Sequence, residues 1–110
     1  MTITSNYAGD AVVLRVDGRL DAITSPEFEK TCQQCIKPDT RKALLDLEGV
    51  EYISSAGLRA ILLVGKTIQS VGGVLGFSGL RGTVKDVIEM AGFSALFKVY
   101  DSVEAALEPR

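Results

Sequence analysis

Hydrophobic residues in this chain recur with two different periods, and the switches between them mark out strands and helices. Two short stretches come first, Ile3–Tyr7 and Ala11–Asp17, separated by Ala8-Gly9-Asp10. Glycine and aspartate tolerate the dihedrals of a tight turn, so the pair predicts a hairpin. In the second stretch Val12, Leu14 and Val16 share one face, and Val13 and Arg15 the other. Gly18-Arg19-Leu20-Asp21 then leads into Thr24-Ser25-Pro26-Glu27. Ser25 is the expected N-cap, Pro26 the first helical residue, and Glu27 suits the positive end of the helix. Phe28, Cys32, Cys35 and Ile36 follow at helical spacing, and Pro38 stops the run.

Lys42 to Leu47 is apolar through its centre and predicts a strand covered on at least one face. A helix opens near Ser55, with Leu58, Ile61, Leu62, Gly65 and Ile68 on one face, and closes before Gly72-Gly73. Val74–Phe77 reads as a strand. Thr83–Ala91 reads as a helix with Val84, Val87, Ile88 and Ala91 inward, closed by Gly92. Phe97–Tyr100 is a last short strand, and Ser102 caps a final helix through Leu107. The order β-β-α-β-α-β-α-β-α predicts an α/β fold. It has a mixed sheet of about five strands, an N-terminal hairpin followed by parallel crossovers, packed with about four helices. No repeat or linker interrupts it, so residues 1–110 are expected to form one domain.

Composition narrows the function. With 46% hydrophobic and 24% charged residues, the chain has the make-up of a folded protein. Its net charge of −2 and lack of a long basic run exclude nucleic acid as an expected partner. Met1-Thr2-Ile3-Thr4-Ser5-Asn6 lacks the basic and apolar regions of a signal peptide. The uncharged apolar run from Ala60 to Gly65 is far too short for membrane insertion. A cytoplasmic protein is the expectation.

The chain contains no histidine, which removes Ser-His and Cys-His nucleophiles and most zinc sites. Cys32-Gln33-Gln34-Cys35 has redox spacing but falls late in a helix, in line with Phe28 and Ile36, and reads as core. Ala60 to Thr67 fits a relaxed phosphate-loop pattern, but Ile-Leu-Leu-Val is a stiff apolar run, not a flexible cradle. Asp46, Glu48 and Glu51 read as solvated charges at a strand end and in the next loop. No enzyme activity, cofactor or metal is expected.

Ser54 and Ser55 remain, placed where a strand gives way to a helix. Either one serves as a helix N-cap or as a phosphate acceptor. Backbone N–H groups are unpaired there, and the helix dipole welcomes negative charge. Arg59 lies one turn on, in reach of a phosphate or of a partner.

The segment Val50-Glu51-Tyr52-Ile53-Ser54-Ser55-Ala56-Gly57-Leu58-Arg59 resembles the signature of the STAS family, the domain of sulfate transporters and anti-sigma factor antagonists. Gly18-Arg19-Leu20-Asp21 with Thr24, Gly72-Gly73, and Ala91-Gly92-Phe93 with Leu96-Phe97 resemble its other landmarks, so the likeness covers essentially the whole chain. The free-standing length is similar to the bacterial anti-sigma factor antagonists. The resemblance implies a partner switch. The unmodified protein binds an anti-sigma factor that is also a serine kinase. Phosphorylation releases it, and a metal-dependent PP2C-type serine phosphatase resets it. It also implies Ser55 as phosphoacceptor, with Ser54 as second choice, and Asp21, Thr24, Ser54, Gly57, Leu58 and Arg59 on the partner-binding surface. Family members often carry an acidic residue where this chain has Ser54. The alternative is a constitutive STAS interaction subunit of a transport or signalling assembly, with no phosphorylation switch.

Overall fold

The computed structural model describes residues 1–108. Among them, the strands are β1 (Thr2–Ala8), β2 (Ala11–Leu20), β3 (Lys42–Ile53), β4 (Val74–Ser78) and β5 (Lys98–Tyr100). The helices are α1 (Ser25–Cys35), α2 (Ser55–Ser70), α3 (Gly82–Met90), α4 (Phe93–Leu96) and α5 (Val103–Leu107). The strands lie in the order β1-β2-β3-β4-β5. β1 and β2 form the antiparallel hairpin, with Gly9 at φ +62° in its turn, and the other neighbours are parallel. The expected mixed α/β sheet is therefore present.

Strand alternation sorts the side chains to two faces. Val12, Leu14, Val16, Ala43, Leu45, Leu47, Leu75 and Phe77 point to one face. They form the main core with Phe28 and Cys32 of α1, Ile61, Val64 and Ile68 of α2, and Val84 and Ile88 of α3. Phe97 closes this core, packing edge-on against Phe77 and Phe93 at centroid distances of 5.6 and 5.8 Å. The opposite face carries a small cluster of Val13, Leu44 and Ala106, which docks α5. Lys42 Nζ donates to the Ala106 carbonyl at 2.7 Å and lies over the Tyr100 ring, tying down the end of that helix.

Several expectations need correction. β3 runs to Ile53, six residues past the expected end, because Asp17–Leu20 of β2 pair with Gly49–Ile53 across two register shifts. Glu48 and Glu51 are therefore strand residues, not loop residues, and both are exposed. Asp46 is 7% exposed and ion-paired to Arg15, not solvated. The N-cap of α1 is Thr24, with Ser25 the first helical residue and Pro26 the second. Ser25 Oγ instead donates to the Asp21 carbonyl, and Ser25 is buried. In α2 the fully buried stripe is Gly57, Ala60, Ile61, Val64, Gly65 and Ile68, while Leu58 and Leu62 are half-buried. Gly65 belongs in the stripe because a Cβ there would meet the Phe97 ring at 2.8 Å. The sequence predicts about four helices and assigns no element to Phe93–Leu96, where the short helix α4 forms. Four residues are too few to display a helical period.

Cys32 is buried, and its thiol is pushed up to about 12 by desolvation, which fits core packing. Among the described residues no helix is long and apolar enough to cross a membrane.

Candidate functional site

The parallel strands β2 and β3 end side by side, with Leu20 opposite Ile53. Asp21 and Ser54 leave the sheet together, stitched by the Ser54 amide donating to the Leu20 carbonyl at 3.0 Å. Helix α2 starts at this point. Ser54 is its N-cap, in an extended conformation, and its Oγ accepts from the Gly57 amide at 3.3 Å. The Ser54 carbonyl accepts from the Leu58 amide at 2.9 Å. Ser55 is the first helical residue and is exposed. Among the described residues its hydroxyl makes no hydrogen bond.

The two serines thus hold different positions, a distinction the sequence left open. Ser54 is half-buried and committed to the helix, and Ser55 presents a free hydroxyl at the positive end of a sixteen-residue helix. Gly57 is buried one turn in. A Cβ at that position would lie 2.5 Å from the Leu20 carbonyl oxygen and 3.0 Å from Ile53 Cγ2. Only glycine lets the start of α2 sit against the end of β2, and that approach sets Ser55 beside the Asp21 loop.

The Asp21 loop is held by its own polar groups. Asp21 Oδ1 accepts from the amides of Ile23 and Thr24 at 3.0 and 3.1 Å. Thr24 Oγ1 accepts from the Asp21 amide at 3.0 Å and donates to the Arg19 carbonyl at 2.8 Å. This mutual bracing is the side-chain turn that aspartate and threonine form when they flank a bend. The Asp21 carboxyl sits below the usual aspartate range, chiefly because the Thr24 amide donates to it, with help from the Ile23 amide and Arg19. Asp21 and Thr24 therefore shape the loop as well as lining it.

Three residues at the same corner carry no site role in the sequence expectation, although Arg19 and Tyr52 lie within the signature stretches. Ile23, 88% exposed, stands at the tip of the braced loop. Arg19 reaches Asp21 at 3.6 Å and lies over the Tyr52 ring at 4.4 Å, bridging the two strand ends. Tyr52 also borders an apolar groove formed with Ile53, Thr83, Val84 and Val87. The available signal was an isoleucine with no periodic partner between a strand and a helix cap. Leu58 is half-buried and Arg59 exposed, four residues after Ser55 on the same side of the helix. The corner offers a hydroxyl, a fixed carboxylate, two arginines and exposed apolar surface. Those groups suit binding another protein more than bond-making chemistry. Among the described residues, no group of three or more acidic or thiol side chains is placed to hold a metal.

Known proteins resemble this chain over almost its whole described length. The STAS domain model matches residues 3–106. BtrV of Bordetella bronchiseptica, provisionally named an anti-sigma factor antagonist, is 33% identical over 106 residues, covering 96% of this chain and 91% of that one. The crystal structure of an anti-sigma factor antagonist from Mycobacterium paratuberculosis superposes with a TM-score of 0.84 at 23% identity, over 96% of this chain and 90% of that one. The unphosphorylated form of the anti-sigma factor antagonist SpoIIAA gives a TM-score of 0.72 at 16% identity, over 94% and 91% of the two chains. A hairpin-led sheet, a braced aspartate loop and a glycine-seated helix start are thus found in a chain whose length the family model nearly fills, and this chain belongs to the STAS domain family.

Proposed function

We propose that this protein is an anti-sigma factor antagonist working by partner exchange in the cytoplasm. Unmodified, it binds an anti-sigma factor with serine kinase activity through the corner built by Asp21, Thr24, Ser54, Gly57, Leu58 and Arg59, to which Ile23 and Tyr52 add apolar area. The kinase phosphorylates Ser55, the complex separates, and a PP2C-type serine phosphatase restores the free hydroxyl. One observation carries this reading: Ser55 is exposed and unbonded at the start of α2 while Ser54 does the capping.

The chemistry follows from position. A phosphoserine adds roughly −1.5 to −2 charge at neutral pH. At the first residue of a helix the dipole and free amides accommodate that charge, so the fold survives modification. A partner packed on the same corner must instead desolvate a dianion next to the Asp21 carboxylate, which costs binding energy.

Trypsin releases Ala43–Arg59, which holds both serines and Tyr52. Fragmentation of that peptide, after incubation with the cognate anti-sigma factor and ATP, is expected to place the phosphate on Ser55. Ser55→Asp is expected to weaken anti-sigma factor binding by at least about tenfold, and Ser55→Ala to bind constitutively. Full binding by Ser55→Asp, with the peptide unmodified, would make the protein a constitutive interaction subunit instead.

A further inference from the structure

The sheet face turned away from α1, α2 and α3 carries a polar row that folding does not require. Thr4, Arg15, Asp46, Ser78 and Tyr100 are successive cross-strand partners along one line through all five strands. Two residues earlier on each parallel strand, Val13, Leu44 and Gly76 occupy the equivalent line, and the first two pack beneath α5. Beyond the start of α5 the face opens into a cavity of about 220 Å³. Its lining includes Arg15, Asp46 and Ser78 on the floor and Glu48, Asp101 and Glu104 around the rim.

Two features of the floor point to a ligand. Ser78 is 1% exposed, and among the described residues its Oγ is the buried side-chain polar atom with no hydrogen-bond partner. Buried hydroxyls are normally satisfied, so an orphan one lining a cavity marks a place for an outside partner. Asp46 is also buried; Oδ1 accepts from the Glu48 amide at 3.2 Å, and Oδ2 faces Arg15 at 3.5 Å. Arg15 is shared between Asp17 at 3.3 Å and Asp46 at 3.5 Å, and the rim carboxylates of Glu48, Asp101 and Glu104 remain. Arg81 is engaged at the Glu48 carbonyl at 3.1 Å and is not among the lining residues. The cavity is therefore acidic, and it is smaller than the roughly 300–1,000 Å³ of sites for drug-sized ligands.

We propose that this cavity binds a small organic cation, its ammonium group donating to Ser78 Oγ and Asp46 while the rim carboxylates supply the field. The site is independent of the Ser55 exchange, since it uses none of the same residues and lies on the outer sheet face. Amide-detected NMR titration of the whole protein at constant ionic strength tests it, with butylammonium and putrescine as probes. Saturable shifts centred on Asp46, Ser78 and Glu104 are expected with both amines. Ser78→Ala, and separately Asp101→Asn with Glu104→Gln, are expected to weaken binding by about tenfold with the remaining spectrum unchanged. The rim residues are exposed, so the second variant leaves folding intact. Absence of saturation overturns the proposal. So do equal shifts from neutral butanol, displacement of the amines by magnesium ion, and undiminished binding by the rim variant.

Discussion

At the scale of single residues, the corner around Ser55 is built by groups that carry structure so that one hydroxyl is left free. Ser54 caps α2 through the Gly57 amide. Replacing it with alanine is expected to cost about 1 kcal/mol in urea unfolding, and Ser54→Asp to restore most of that. Aspartate is as good a cap as serine, so the extended cap geometry at this position accepts either residue. Ser55→Ala, by contrast, removes no hydrogen bond and is expected to leave the unfolding midpoint in place. Gly57→Ala forces a methyl toward the Leu20 carbonyl. Overpacking of this kind costs about 1–3 kcal/mol, more than the ~0.5–1 kcal/mol alanine returns in a helix. A lowered thermal midpoint is the expected reading. The Asp21 carboxyl gives a pH prediction. Its folded pKa lies below its unfolded one, so its contribution to stability is complete above the unfolded value and is lost as pH falls through the folded value. Carboxyl-carbon NMR is expected to show a midpoint below the ordinary aspartate range, and Thr24→Ala, which removes only the hydroxyl contribution, to raise it modestly.

Among the elements, helix α1 separates its two thiols by environment. Cys32 is buried and hard to ionise, while Cys35 is half-buried at the last turn. Native protein at mildly alkaline pH is expected to react at one thiol with a disulfide reagent, and Cys35→Ser to abolish that reaction. The elements legible in the sequence are those with a sustained period or an unambiguous stop. Helix α2 shows both, from its serine cap to Gly72 at φ +86°. The second half of β3 was hidden because Glu48-Gly49-Val50-Glu51-Tyr52-Ile53 shows neither a continuous apolar run nor strict alternation, the register shifts against β2 breaking the period of two. Beyond Asp46, opposite the end of β4, it keeps only β2 as a described sheet partner, so one flank is free and polar side chains suffice. The cap of α1 was misplaced by one residue because Thr24 and Ser25 are chemically alike, and only the backbone pairing of Ser25 with Asp21 distinguishes them. The signature residues come together where β2 and β3 end side by side, but Ile23 and Arg19 are recognisable as their neighbours only once the two strand ends are seen together. The division of labour between adjacent serines depends on which one leaves the sheet.

For the whole molecule, the described strands run in one spatial sequence without reversal. Doubly wound sheets hold their ligands in the crevice where strand order reverses, and this sheet has no such crevice. The strand ends instead present braced loops and a helix start as a raised corner, a form that suits a protein partner. The opposite face depends on α5 for cover. Lys42→Ala removes the tie to the Ala106 carbonyl and is expected to speed amide exchange in α5 and over Val13 and Leu44, with the main core unchanged. The unbroken order β1 to β5 bears on biosynthesis as well. Each strand, as it leaves the ribosome, meets the edge laid down just before it. The nascent chain therefore assembles by successive addition, and no strand has to wait for a later one to be inserted between it and its neighbour.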